Sequence, residues 1–345
     1  MKAQQLWFVK PFDVAVREEA LPGLQLDQLL LKTRYSAISA GTEKLVYRGQ
    51  LPADTTLDDS LAAYEGQSVE YPLQYGYACV CDIEAVGADV ASHWVGKTVF
   101  AFMPHASHHL ATLDAVIEVP KGIDAKQALF LANMETAVNL AQDGNPRLGE
   151  RAIVLGQGIV GLLLSGVLAQ FPLDSLAAVE ALPGRRTLAQ QAGVPSVFDP
   201  NNASAMAALH ELLALTDPQG GGADVVFELT GSPEALNLAV DLCAYSGTVV
   251  VGSWYGSKRA EINLGERFHR NRINIVSSQV SSIAPELGGR WNKARRFAVA
   301  WNMISRTDPA RLVSHCIPFT EAAEAYRLLD QQTEESMQVI FEYPE

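Results

Sequence analysis

Cysteine is scarce in this chain: Cys79, Cys81, Cys243 and Cys316 are the only four among 345 residues. So few and so scattered, they exclude a disulfide framework and point to a reducing, cytoplasmic setting. Long apolar runs are missing as well. No stretch approaches the roughly 20 residues needed to cross a bilayer, and Met1-Lys2-Ala3-Gln4-Gln5 lacks the basic and apolar regions of a secretory leader. No membrane partner is expected. Basic charge is in deficit, 26 Lys and Arg against 39 Asp and Glu, for a net −13. That balance argues against nucleic acid as a partner and says little else. There is no low-complexity tract and no internal repeat. What remains is an ordinary globular composition in a length that suggests two domains, each able to bury its own core.

The most informative stretch present is Ala152-Ile153-Val154-Leu155-Gly156-Gln157-Gly158-Ile159-Val160-Gly161. It is a short apolar strand running into G-x-G-x-x-G and then into the apolar periodic segment Leu162 to Leu168. Gly156 permits the tight turn, Gly158 lets bare backbone approach a pyrophosphate, and Gly161 lets the helix lie close on the sheet. The helix amino terminus offers unpaired N–H groups and a positive dipole end to phosphates. A second apolar strand, Leu176 to Val179, ends at Glu180, 19 residues past Gly161. A carboxylate there hydrogen-bonds an adenosine ribose and repels a 2′-phosphate, which favours NAD(H). Arg185 and Arg186, one turn on, could instead offset that phosphate, so NADP stays possible.

The first 130 residues read as β-rich, with strands at 29–36, 75–84, 97–102 and 115–119. A short helix is expected over Glu43 to Tyr47. A longer one starts near Asp124, with Gln127 as capping-box partner, and carries Ala128, Leu131, Ala132 and Glu135. From about 151 to 279 strands alternate with helices, at 152–155, 176–180, 196–198, 224–229, 248–251 and 273–276. This predicts a six-stranded, doubly wound parallel sheet. The tail adds helices 291–304 and 320–330, the polar link Gln331 to Glu335, and a strand over 338–341.

This order of parts resembles the medium-chain dehydrogenase/reductase superfamily over the whole length. Supporting stretches are Val86-Gly87, Gly96 to Phe100, Leu148-Gly149-Glu150-Arg151, Ala223 to Ser232 and Cys316 to Tyr326. Ser36 to Glu43, Pro104-His105-Ala106, Gly252 to Gly256 and Ser277-Ser278-Gln279 are similar to the branch containing the 2-hydroxyethyl bacteriochlorophyllide dehydrogenases. The resemblance implies an α/β fold, with a β-rich GroES-like catalytic domain over 1–131 and 280–345 and a Rossmann domain over 132–279. It implies a homodimer through the sheet edge near Val249 to Ser253. Zinc members use a cysteine, a histidine and a third cysteine or acid. Here those positions fall at Ser39, at Tyr77 and near Leu131 or Ala132, none of them a good zinc ligand. A zinc-independent enzyme is the expectation.

The reading is hydride transfer between a nicotinamide and an alcohol or ketone, a small-molecule substrate. Ser39, Thr42 and Tyr77 would stabilise charge on the substrate oxygen and His105 would relay a proton. The cofactor set is Gly156, Gln157, Gly158, Ile159, Val160, Gly161, Glu180, Arg185, Thr230, Gly231, Gly252, Ser253 and Ser278. An enone or quinone reductase, and a catalytically silent nucleotide-binding protein, are the alternatives. Glu43 reads mainly as a favourable start to its short helix. His105-Ala106-Ser107-His108-His109 invites a metal reading but reads more simply as a solvated loop, in which His108 and His109 face opposite ways. Cys79 and Cys81 share one strand face as small core residues. Trp254 and Tyr255 follow the fifth strand, either beside a ligand or against a second subunit. The loop Leu51 to Pro72 would shape the pocket.

Overall fold

The computed structural model describes residues 1–51, 56–57, 61–214, 221–259, 261–332 and 334–344. Positions 52–55 and 58–60 of the pocket-shaping loop, and Thr333 of the polar link, lie outside the described residues. Strands β1 (Lys2–Lys10), β2 (Asp13–Ala20) and β3 (Gln28–Ala37) open the chain, followed by helix α1 (Glu43–Tyr47). Next come β4 (Cys79–Val86), β5 (Thr98–Ala101), β6 (His108–Thr112), β7 (Val116–Glu118), α2 (Ala125–Ala128) and α3 (Leu131–Gly144). An alternating run follows: β8 (Arg151–Leu155), α4 (Ile159–Leu168), β9 (Ser175–Val179), α5 (Pro183–Gln191), β10 (Ser196–Phe198), α6 (Ala203–Leu212) and β11 (Ala223–Glu228). It continues with α7 (Ala235–Leu242), β12 (Cys243–Val251) and β13 (Asn274–Ser277), and the chain ends with α8 (Lys293–Thr307), β14 (Val313–Pro318), α9 (Ala322–Gln331) and β15 (Gln338–Glu342).

Two compact units result, Met1–Ala132 with Asp308–Glu345, and Asn133–Thr307. In the first, a sheet runs β14-β15-β3-β4-β5-β7, β6 also pairs with β3, and β1-β2 form a separate ribbon. One core gathers Phe8, Tyr47, Tyr64, Tyr75, Phe319, Tyr326 and Phe341, each full burial contributing about 2 kcal/mol. A second core joins Leu29, Leu31, Cys79, Cys81, Ile83 and Val99. The two thiols are packing groups: burial pushes Cys81 up to about 12, so no reactive thiolate forms. Asp124 caps α2 through the expected box with Gln127.

In the second unit the strands run β10-β9-β8-β11-β12-β13, all parallel, the doubly wound order with its switch between β8 and β11. Helix α4 is buried from Gly161 to Leu168, as a sequence apolar at every position but Ser165 requires.

Several expectations need correction. Residues 280–307 group with the second unit, because α8 packs on α4 and its Arg296, 0% exposed, bonds to Glu135 and Asn139 of α3. The single helix from Asp124 is two, α2 and α3, separated at the buried Leu129 and Phe130. The strand expected from Tyr75 begins at Cys79, since Gly76 takes φ +129 and breaks the extended run. The sheet edge lies at β13, which pairs with Val249–Val251 and places that segment one strand inside. The histidine segment is no solvated loop: His105 is 1% exposed and His109 is buried in β6.

Candidate active site

The glycine loop is closely packed at two of its glycines and open at the third. Gly156 adopts φ +88, and a Cβ there would meet the Leu229 carbonyl oxygen at 2.8 Å. At Gly161 a Cβ would stand 2.1 Å from the Gly156 carbonyl oxygen. Around Gly158, in contrast, nothing lies within 4 Å of an added Cβ, so that backbone is open to approach. Gly158 caps α4 without a side-chain bond to the first turn, where the N–H groups of Ile159 and Val160 have no intrahelical acceptor. Glu180 follows β9, buried, with Oε2 accepting from Gln157 N–H at 2.7 Å and Oε1 from Leu182 N–H at 2.9 Å. These bonds fix the carboxylate beside the loop and leave further lone pairs on each oxygen. Gln157 is itself buried, and its Oε1 accepts from Ser165. Arg185 lies in the first turn of α5. Its neighbour Arg186 is committed elsewhere, donating to the Glu180 and Ala181 carbonyls and pairing with Asp199 at 3.1 Å.

At the carboxyl ends of β11 to β13 the remaining cofactor candidates converge. Thr230 N–H donates to Glu228 Oε1 at 2.7 Å and Gly231 N–H to Ser253 Oγ at 2.9 Å. Gly252 N–H donates to the Glu228 carbonyl at 3.0 Å and Ser278 N–H to that of Val251 at 2.9 Å. A Cβ on Gly252 would collide with Leu229 Cδ2 at 2.5 Å and Leu140 Cδ2 at 2.7 Å. Ser278 Oγ donates to Asp143 at 2.6 Å and accepts from Asn139 at 2.9 Å. Burial raises the Asp143 carboxyl above its usual range. A doubly wound sheet binds its ligand at these strand ends, and the residues fit a dinucleotide.

In the first unit, Tyr77 OH donates to Ser39 Oγ at 2.5 Å. Thr42 caps α1 through its backbone without a side-chain bond. Glu43 does much more than start a helix. It is 0% exposed; Oε1 accepts from Ser39 N–H at 2.8 Å, while Oε2 accepts from Tyr326 OH at 2.5 Å and sits 3.0 Å from His105 Nε2. On its other side His105 Nδ1 lies 2.7 Å from Ser36 Oγ, which contacts Tyr343 OH at 2.8 Å. Gly76 makes room for this imidazole, since a Cβ would meet His105 Cδ2 at 2.7 Å. His105 therefore belongs to a buried network that reaches Ser39 through the Glu43 carboxylate. Glu43 and Glu228 are the functional candidates that sequence reasoning undervalued. Glu228 closes the apolar strand β11 with a carboxylate, the same signal that marked Glu180, whereas Glu43 opens α1 after a turn and carries no such mark.

The donor set at the metal positions of the resembled family is a serine hydroxyl, a phenol and the buried aliphatic Leu131 or Ala132. Zinc sites draw on thiolate, imidazole and carboxylate, so this set does not fit zinc. Among the described residues no group of three or more His, Cys, Asp and Glu is arranged to hold a metal ion. His108 and His109 do face opposite ways, half-buried and buried. Burial, then His108 and His105, pushes His109 down to about 4.

A family profile described as "Zinc-binding dehydrogenase" matches residues 160–299. The chain is 24% identical over 329 residues to D-guloside 3-dehydrogenase of Escherichia coli (strain K12), covering 91% of this chain and 92% of that one. Its fold is similar to an Escherichia coli oxidoreductase/dehydrogenase of unknown specificity involved in membrane biogenesis, with TM-score 0.82, 17% identity and full coverage of both chains. It is also similar to a short chain alcohol dehydrogenase from E. coli CFT073 complexed with NADH, with TM-score 0.79, 16% identity and 99% of each chain covered. Among the described residues no helix is long and apolar enough to cross a membrane.

Proposed function

Because the chain belongs to the medium-chain dehydrogenase/reductase superfamily, we propose that it is a nicotinamide-dependent oxidoreductase interconverting a secondary alcohol and a ketone without zinc. The likeness to D-guloside 3-dehydrogenase favours a hydroxyl of a sugar or polyol as the reacting group. The observation that carries the reading is the loop 156–161, whose open Gly158 and immovable Gly156 and Gly161 match what a pyrophosphate needs. Gly156 to Gly161, Glu180, Thr230, Gly231, Gly252, Ser253 and Ser278 would hold the cofactor, with Arg185 beside its adenosine end. Glu180 supports NAD(H) over NADP(H), since its fixed carboxylate repels a 2′-phosphate and Arg186 is already committed. When bound, the nicotinamide supplies the hydride acceptor or donor.

The protein's own task is then the substrate oxygen. Ketone reduction builds negative charge there, and alcohol oxidation must remove a proton from it. Tyr77 OH donates to Ser39 Oγ at 2.5 Å, so Ser39 keeps its own hydrogen free for a developing alkoxide. In oxidation the substrate proton passes to Ser39 Oγ as the Ser39 and Tyr77 protons shift outward along the pair to water. Glu43 holds the Ser39 backbone through Oε1 and keeps the pair from drifting. His105 acts here as a support for Glu43 rather than as an exposed relay. A second copy of the chain would associate along the edge strand β13.

Steady-state kinetics with a panel of sugar alcohols and secondary alcohols tests the assignment. Tyr77→Phe and Ser39→Ala are each expected to lower kcat by about 100-fold with KM nearly unchanged, the loss typical of one oxyanion donor. Variants with wild-type kcat would remove the hydroxyl pair from the chemistry.

A further inference from the structure

Glu228 ends β11 with its side chain 0% exposed, a costly place for a carboxylate unless its oxygens are satisfied. They are. Oε1 accepts from the Thr230 N–H at 2.7 Å and hydroxyl at 2.5 Å, and Oε2 accepts from the Tyr255 phenol at 2.5 Å. Burial, then the bond to Glu228, pushes the Tyr255 phenol well up, so it stays a donor across the physiological range. Around this centre Gly231 N–H donates to Ser253 Oγ at 2.9 Å, Lys258 Nζ to the Gly231 carbonyl at 2.8 Å, and Gly252 N–H to the Glu228 carbonyl at 3.0 Å. Segments 230–232 and 252–258 thereby form one clasp across the carboxyl ends of β11 and β12. Trp254, next to the anchoring phenol, is 54% exposed and takes no part.

The sheet gives the clasp a direction. Glu180 follows β9 and marks the adenosine half. A dinucleotide spans the switch point between β8 and β11, so its other half falls toward β11 and β12. We infer that Glu228 and Tyr255 are positioning residues for the nicotinamide half, acting through the backbone at Gly231 and Gly252–Ser253 that they hold in place. The inference rests on the dinucleotide reading above. A loop that must be ordered when ligand arrives subtracts that ordering from affinity. A loop clasped in advance spares the half of the ligand it meets and leaves the adenosine half indifferent.

Calorimetric titration of the full chain with NADH and with ADP-ribose, which lacks the nicotinamide, separates the possibilities. Tyr255→Phe keeps the ring and deletes the bond to Glu228. It is expected to weaken NADH on the order of tenfold, the loss of one charge-assisted bond, while ADP-ribose stays within about twofold. Glu228→Gln keeps the volume and is expected to show the same selectivity, which covers the case of a poorly folding Tyr255→Phe. Equal weakening of both ligands, or of neither, overturns the inference while leaving the cofactor reading intact. A wild-type chain that binds ADP-ribose alone also overturns it. A wild-type chain that binds neither ligand overturns the cofactor reading itself, and this inference with it.

Discussion

Gly158 and Gly161, three residues apart in one loop, should fail in different ways when each gains one methyl group. At Gly161 the added Cβ meets the Gly156 carbonyl oxygen at 2.1 Å. Ordinary contact lies near 3.4 Å, so the turn must open by roughly 1 Å in a close-packed region. Overpacking of this kind costs about 1–3 kcal/mol and more when backbone is the obstacle, while alanine returns at most about 1 kcal/mol of helix propensity. Gly161→Ala should therefore lose about 2 kcal/mol, or roughly 4–8 °C of melting temperature for a unit of this size. At Gly158 the added Cβ meets nothing, and its φ of −70° suits any residue. Losing glycine at a helix cap costs at most about 1 kcal/mol, so Gly158→Ala should melt within about 4 °C of wild type. Its defect should appear in binding, because the methyl occupies the surface a pyrophosphate must reach. NADH affinity should fall at least about tenfold. Thermal denaturation and fluorescence titration of both variants decide the matter. A Gly158→Ala chain that binds NADH as tightly as wild type would refute the reasoning, as would a Gly161→Ala chain of unchanged melting temperature.

His109 is held at about 4, below the usual 6.5, so between those values the unfolded chain takes up a proton that the native state refuses. Stability should therefore fall as pH drops from about 6.5 toward 4, by about 3 kcal/mol across that window. Melting temperature against pH should show a shallower slope in His109→Asn, and an identical slope would contradict this. Turnover on a secondary alcohol should survive exhaustive dialysis against a chelator. Loss of activity restored by zinc, with one zinc bound per chain, would return the metal to the mechanism.

The second unit was legible because all its strands but β13 are short apolar runs closed by a glycine or a carboxylate. Val225 to Glu228 and Thr248 to Val251 pair in the register such runs produce. β1 and β2 were missed because they carry Lys2, Arg17, Glu18 and Glu19 on a ribbon with one open face, which leaves little apolar pattern to read. β6 was hidden by its two histidines, His108 and His109, whose polarity suggested solvent although His109 is buried. The Ser39–Tyr77 pair could be named from position, but the Glu43 network could not. Its partners Tyr326 and His105 lie 283 and 62 residues away, and no local pattern reports contacts at that distance. The boundary at Thr307 was likewise invisible, because it depends on where the buried Arg296 finds its acceptors.

The central claim is that a nicotinamide dinucleotide docks on the loop 156–161 with Glu180 choosing between its two forms. Calorimetric titration of the purified chain with NADH and with NADPH measures this directly. Saturable binding of one NADH per chain, clearly tighter than NADPH, is the result expected. No heat with either at millimolar concentration, or a strong preference for NADPH, would contradict the account.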